Sequence, residues 1–171
     1  MCREESKEIL ILDSSAIING YNPASSSKKH LISEKTIKEV KDQKSRRILE
    51  TAISIKKVKI AKASEKSIQK TRKNAEKTGD LKYLSEADIE TIAIALDAKE
   101  KGLQPIIITD DFTIQNVLSH MKIPYKPVIT SGIKNKVKWI IYCPACGATY
   151  TDKKISTCEI CGSKLKRKIK S

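Results

Sequence analysis

The chain has 171 residues, enough for one full domain and a small module, and with only 4% aromatic residues its core must be filled by aliphatic side chains. Lys and Arg number 34 against 20 acids, a formal net charge of +14 that favours polyanionic partners through phosphate contacts. The N-terminal MCREESKE lacks the apolar segment of a signal peptide, and no run approaches the roughly 18 apolar residues of a membrane span, so a soluble cytoplasmic protein is expected.

Residues 9–12 (ILIL) predict a short buried strand, and Ser14–Ile18 a short helix. A turn-rich loop over 19–29 leads to a brief strand at 30–33, then to one or two helices over 36–55. Residues 58–61 predict a second main strand and 64–77 a polar helix broken by Gly79. The strongest helix runs from Ser85 to Lys101, with Ile89, Ile92, Ala93 and Leu96 on one core-facing stripe. A strand at 106–109, a helix over Phe112–Met121 and an edge strand at 126–130 follow. This alternation predicts an α/β domain over residues 1–130, a mainly parallel sheet flanked by helices.

Composition then shifts: residues 131–171 hold ten Lys or Arg and two acids. We read 131–136 as a linker, 137–166 as a small β module and 167–171 as a solvated basic tail. The module contains Cys143-Pro-Ala-Cys146-Gly and Cys158-Glu-Ile-Cys161-Gly, with eleven residues between the pairs. Two such knuckles supply the closed four-sulfur site that Zn²⁺ favours, and flanking segments 137–142 and 148–151 suit a hairpin, as in a zinc ribbon. One role for it is simply a metal-stapled fold. The other is RNA contact through Lys134, Lys136, Lys138, Trp139, Lys153 and Lys154. Cys2 stands apart, and His30 and His120 show no partner motif.

Four acids are each predicted near a helix start: Asp13, Glu39, Asp88 and Asp111. Strand C-terminal ends and the helix N-termini after them converge on one sheet edge, where ligands bind. Each acid has a structural alternative. Asp13 and Asp111 suit N-caps, while Thr36-x-x-Glu39 and Ser85-x-x-Asp88 match the capping-box pattern. Gathered together, they would repel one another unless a cation neutralised them, and Mg²⁺ or Mn²⁺ with substrate phosphate resolves that conflict. Asp110 competes with Asp111 for the fourth corner, and Ser14 and Thr109 are candidates to support the ligands.

The segments LILDSSAII, TIKEV, LSEADIETIAIALDA and IIITDDFTIQNVL resemble a PIN domain, a metal-dependent nuclease fold, over residues 8–130. With the CPACG…CEICG ribbon added, the chain resembles the Nin-one-binding (NOB) endoribonuclease family in its compact archaeal form. The resemblance implies metal-binding catalytic roles for Asp13, Glu39, Asp88 and Asp111, and directs attention to Gln115 and Asn116. It also implies maturation of the 3′ end of small-subunit ribosomal RNA, with the pre-ribosomal small subunit and ribosome assembly factors as partners. The alternatives are a noncatalytic RNA-binding assembly factor and a PIN-type toxin ribonuclease.

Overall fold

The computed structural model describes residues 7–129, 139–151 and 155–169. Its main sheet is parallel, with strand order β3-β2-β1-β4-β5. The strands are β1 (Glu8–Leu12), β2 (His30–Ile32), β3 (Val58–Ile60), β4 (Gln104–Ile108) and β5 (Tyr125–Lys126). Between them run α1 (Ser14–Ile18), α2 (Glu34–Glu39), α3 (Gln43–Ser54), α4 (Glu65–Thr78), α5 (Glu86–Glu100) and α6 (Phe112–Met121). The expected α/β architecture is observed.

Side chains alternate across a strand, and the two cores follow that period. Ile11 and Ile107 pack with Ala75 of α4, Ile92 of α5 and Ile114 of α6. Their neighbours Leu10, Leu12, Ile106 and Ile108 point the other way, onto Ile17 of α1 and Leu49 of α3. Each fully buried Leu or Ile contributes roughly 1.5–3 kcal/mol, so a one-residue slip of β1 would exchange two sets of core contacts at once. The predicted stripe of α5 is buried, but so are Ile94, Ala95 and Ala98. The helix is covered by α2 and α4 as well as the sheet, which explains an apolar surface wider than one face.

The chain steps outward from β1 to β3 and then returns to β4 on the other side of β1. That makes the β1–β4 boundary a topological switch point, where a crevice opens beyond the strand ends. Register places Leu12 beside Ile108, so Asp13 and the Thr109-Asp110-Asp111 run emerge at the same level.

One predicted cap is corrected. Ser33, not Thr36, caps α2, because its hydroxyl accepts from the Thr36 N–H at 3.0 Å. Glu39 is therefore the last residue of α2, and Asp42 begins a separate α3. The Thr36–Glu39 capping box does not form, and the support of a helix N-terminus does not extend to Glu39.

The C-terminal module is an antiparallel sheet of β6 (Trp139–Tyr142), β7 (Thr149–Tyr150) and β8 (Lys166–Ile169), in the order β7-β6-β8. The predicted hairpin is present. The predicted solvated tail is not solvated throughout: Arg167 to Ile169 belong to β8, because the outer edge of β6 offers a backbone ladder to pair with. The linker expected at 131–136 lies outside the described residues.

Candidate active site and cysteine centre

Asp13 follows β1 and caps α1, accepting from the Ser15 N–H. Its Oδ2 also accepts from the hydroxyls of Ser15 (2.5 Å) and Thr109 (2.8 Å). The Thr109 hydroxyl accepts in turn from the Asp111 N–H, and the Ser15 hydroxyl from the Asp110 N–H. Two small hydroxyl residues thus lace the ends of β1 and β4 together around one buried carboxylate.

Glu39 is held from two sides. Ser14 donates to Oε2 and Ser85 to Oε1, each at 3.0 Å. Ser85 is also the N-cap of α5, where the predicted capping box with Asp88 is present in both directions. Buried hydroxyl contacts from Ser33 through Thr36 to Thr91 tie α2 to α5, which brings the end of α2 alongside the start of α5.

At the fourth corner the adjacent aspartates do different things. Asp110 is buried and accepts from the Asn19 amide and from the backbone N–H groups of Val128 and Ile129. Asp111 is half-buried and caps α6, its Oδ1 accepting from the N–H groups of Thr113 and Ile114. That capping leaves Oδ2 of Asp111 for another ligand, as capping by Oδ2 leaves Oδ1 of Asp88.

The electrostatics match this geometry. Burial pushes the Asp13 carboxyl above the ordinary range, against the pull of its hydroxyl bonds, and the Asp111 charge adds to the rise. Asp88 is pushed up to about 6 by burial first, with Asp13 and Glu39 adding repulsion. Among the described residues none of the four carboxylates has a Lys or Arg ion-pair partner. Such a set of oxygen donors suits a hard divalent cation.

The cysteines form a tighter group. Ligand atoms of Cys143, Cys146, Cys158 and Cys161 all lie within 4.8 Å of one another. Cys143 and Cys161 sulfurs are 3.4 Å apart, and those of Cys146 and Cys158 are 3.6 Å apart. A tetrahedron with Zn–S bonds of about 2.3 Å has sulfurs about 3.8 Å apart, so the four could hold zinc with little movement. Gly147 and Gly162, at φ +76° and +69°, turn each knuckle so that their N–H groups return to the carbonyls of Cys143 and Cys158. The Tyr150 hydroxyl lies 3.0 Å from the Cys158 sulfur and holds that thiol down to about 6.

The structure brings Asp13, Glu39, Asp88 and Asp111 to one edge, with Ser14 and Thr109 touching two of them. The Asn116 amide donates to Asp80. Gln115 donates to the Thr109 carbonyl and so braces the end of β4. Trp139 starts β6, while Lys134, Lys136, Lys138, Lys153 and Lys154 lie outside the described residues. His30 is a buried link between Tyr21 and the Lys57 carbonyl. Sequence reasoning missed Ser15, Asn19 and the second role of Ser85. The Ser-Ser pair directly after Asp13 is the one local signal that pointed to the first of them.

A family model described as the PIN domain of ribonuclease matches residues 10–98, a span that includes Asp13, Glu39 and Asp88. The chain is 35% identical over 159 residues to Endoribonuclease Nob1 of Methanothermobacter thermautotrophicus, covering 92% of this chain and 91% of that protein. It is 34% identical over 158 residues to Endoribonuclease Nob1 of Pyrococcus abyssi, with 92% and 91% covered. Ribonuclease VapC1 of Thermoplasma acidophilum is 28% identical over 159 residues, covering 93% and 77%. Alignments of this breadth take in the first cysteine pair together with the sheet domain.

Proposed function

The chain belongs to the Nob1 family of PIN-domain endoribonucleases, and on that premise we propose that it matures the 3′ end of small-subunit ribosomal RNA in the cytoplasm. The observation that supports this most is the set of four carboxylates at the β1–β4 switch point, uncompensated by any described cation, in a chain that also carries a four-cysteine ribbon. Asp13, Glu39, Asp88 and Asp111 are the proposed ligands for Mg²⁺ or Mn²⁺, and Cys143, Cys146, Cys158 and Cys161 for one structural Zn²⁺. A bound divalent ion would supply a Lewis acid for the scissile phosphate and lower the pKa of a water bound to it.

The chain's own residues set the geometry for that chemistry. Ser15 and Thr109 fix Asp13, Ser14 and Ser85 fix Glu39, and the α5 and α6 caps fix Asp88 and Asp111. Water attacks phosphorus in line, the P–O3′ bond breaks, and the 3′ oxygen takes a proton. The products are a 3′-hydroxyl and a 5′-phosphate. The net charge of +14 favours the RNA backbone and predicts binding that weakens steeply with salt. The ribbon and the lysines around it, including Lys134, Lys136, Lys138, Lys153 and Lys154 with Trp139, are the proposed dock for precursor RNA within the pre-ribosomal small subunit.

The test is incubation of purified protein with RNA spanning the 3′ end of the small-subunit sequence, with and without Mn²⁺. Cleavage at one position with Mn²⁺ supports the reading. Indiscriminate degradation of unrelated RNA favours a toxin-type ribonuclease, and binding without cleavage favours a noncatalytic assembly factor.

A further inference from the structure

Arg167 lies on β8, in the segment whose charges suggest a solvated tail, yet its side chain is only 23% exposed. Its Nη1 donates to Asp80 Oδ1 at 3.1 Å. Its guanidinium carbon lies 3.5 Å from the Tyr83 ring centroid and 4.2 Å from that of Trp139. The cation is therefore flanked by one aromatic ring from each domain and paired end-on with a carboxylate of the nuclease domain.

Asp80 is built to receive it. The residue is 1% exposed, and its other oxygen accepts from the Asn116 amide at 2.7 Å. Gly79, at φ +83°, ends α4 and turns the chain so that the Asp80 N–H returns to the Ala75 carbonyl. A carboxylate buried this deeply with an amide as its other partner is costly, and a cation that also satisfies its lone pairs removes most of that cost. Arginine suits the place better than lysine, because a planar guanidinium can pair with the carboxylate while stacking on rings.

We propose that Arg167 is a positioning residue that locks the cysteine module onto the nuclease domain, with Asp80 as its buried socket and Tyr83 and Trp139 as the walls. The lock reaches the active edge through α6: Asn116, which holds Asp80, lies on the helix that Asp111 caps. An RNA touching both domains would then meet them at a fixed spacing. This arrangement goes beyond the cleavage reading and does not depend on it.

The experiment is backbone ¹⁵N relaxation on the full, zinc-loaded chain without RNA. In the wild type, amides of the sheet domain and of β6–β8 share one rotational correlation time. Arg167→Ala removes the cation and Asp80→Ala removes the socket from the opposite domain. Each should abolish the shared value and give the cysteine module a separate, shorter one, while both domains keep dispersed spectra. Arg167→Lys, with the charge but without the fork, should fall between. If Arg167→Ala disturbs the ribbon itself, Asp80→Ala decides, since it leaves the ribbon sequence intact. Two correlation times in the wild type would overturn the lock, and so would either variant tumbling as one body in its folded form.

Discussion

Ser85 joins Glu39 through a 3.0 Å hydrogen bond between residues 46 positions apart, with the same hydroxyl that accepts from the Asp88 N–H to cap α5. One side chain thus fixes the start of a helix and the orientation of a candidate ligand. Ser85→Ala should cost about 1 kcal/mol of stability as a lost cap. It should also lower Mn²⁺ affinity roughly 10- to 100-fold, as loss of a group that orients a metal ligand does. Ser14→Ala should share the second effect without the first. Thermal unfolding and Mn²⁺ titration separate them, and equal Mn²⁺ affinity in both variants and the wild type would contradict the clamp.

Asp88 carries the pH dependence. Its folded carboxyl is raised to about 6, so in the metal-free protein its stabilising contribution is complete below the ordinary aspartate value of about 4. That contribution is lost as pH rises through about 6. Mn²⁺ competes with the proton for the same oxygens, so its affinity should move the other way. We expect an Mn²⁺-induced rise in Tm at about pH 7 that shrinks at about pH 5, with Asp88→Asn flattening both trends. The same Mn²⁺ shift at both pH values would argue against Asp88 as a ligand.

The two adjacent aspartates should separate cleanly. Asp110→Asn weakens charge-assisted bonds to Asn19, Val128 and Ile129, which should cost about 1–3 kcal/mol while Mn²⁺ binding persists. Asp111→Asn keeps an equally good N-cap for α6 and should keep stability, yet lose at least about tenfold in Mn²⁺ affinity. The opposite pattern would move the fourth corner to Asp110.

Tyr150 should matter to zinc retention. Its hydroxyl lies 3.0 Å from the Cys158 sulfur and accepts from the Glu159 N–H at 3.1 Å, so it is placed to donate to that sulfur as a thiolate and orient it within its knuckle. Tyr150→Phe should give up zinc to a chromophoric chelator at a concentration about 10- to 100-fold lower. An unchanged competition curve would make the hydroxyl a bystander.

What could be read in advance was local. Asp13 and Asp111 follow apolar strands and precede helices, and the Phe112–Met121 helix is observed with the expected ends. The cysteine pairs declare themselves by spacing. The cap of α2 was misread by three residues, and the other errors arose where partners distant in sequence decide. Ser33 outcompetes Thr36 for a cap because its hydroxyl lies at the right distance once β2 ends there. Residues 167–169 look like a basic tail until β6 supplies an edge to pair with. Asp80 and Arg167 carry no motif, since their meaning lies in each other.

The most direct test of the central claim is Mn²⁺-dependent cleavage of the precursor RNA by Asp13→Asn and Asp111→Asn, with product ends mapped. Asparagine caps a helix as well as aspartate does, so these variants remove charge while retaining the structural role. The wild type should yield a 3′-hydroxyl and a 5′-phosphate at one site, and both folded variants should lose that activity by at least about a hundredfold. Cleavage at wild-type rates in either variant would show that the carboxylate it lacks caps a helix and does not hold the catalytic ion.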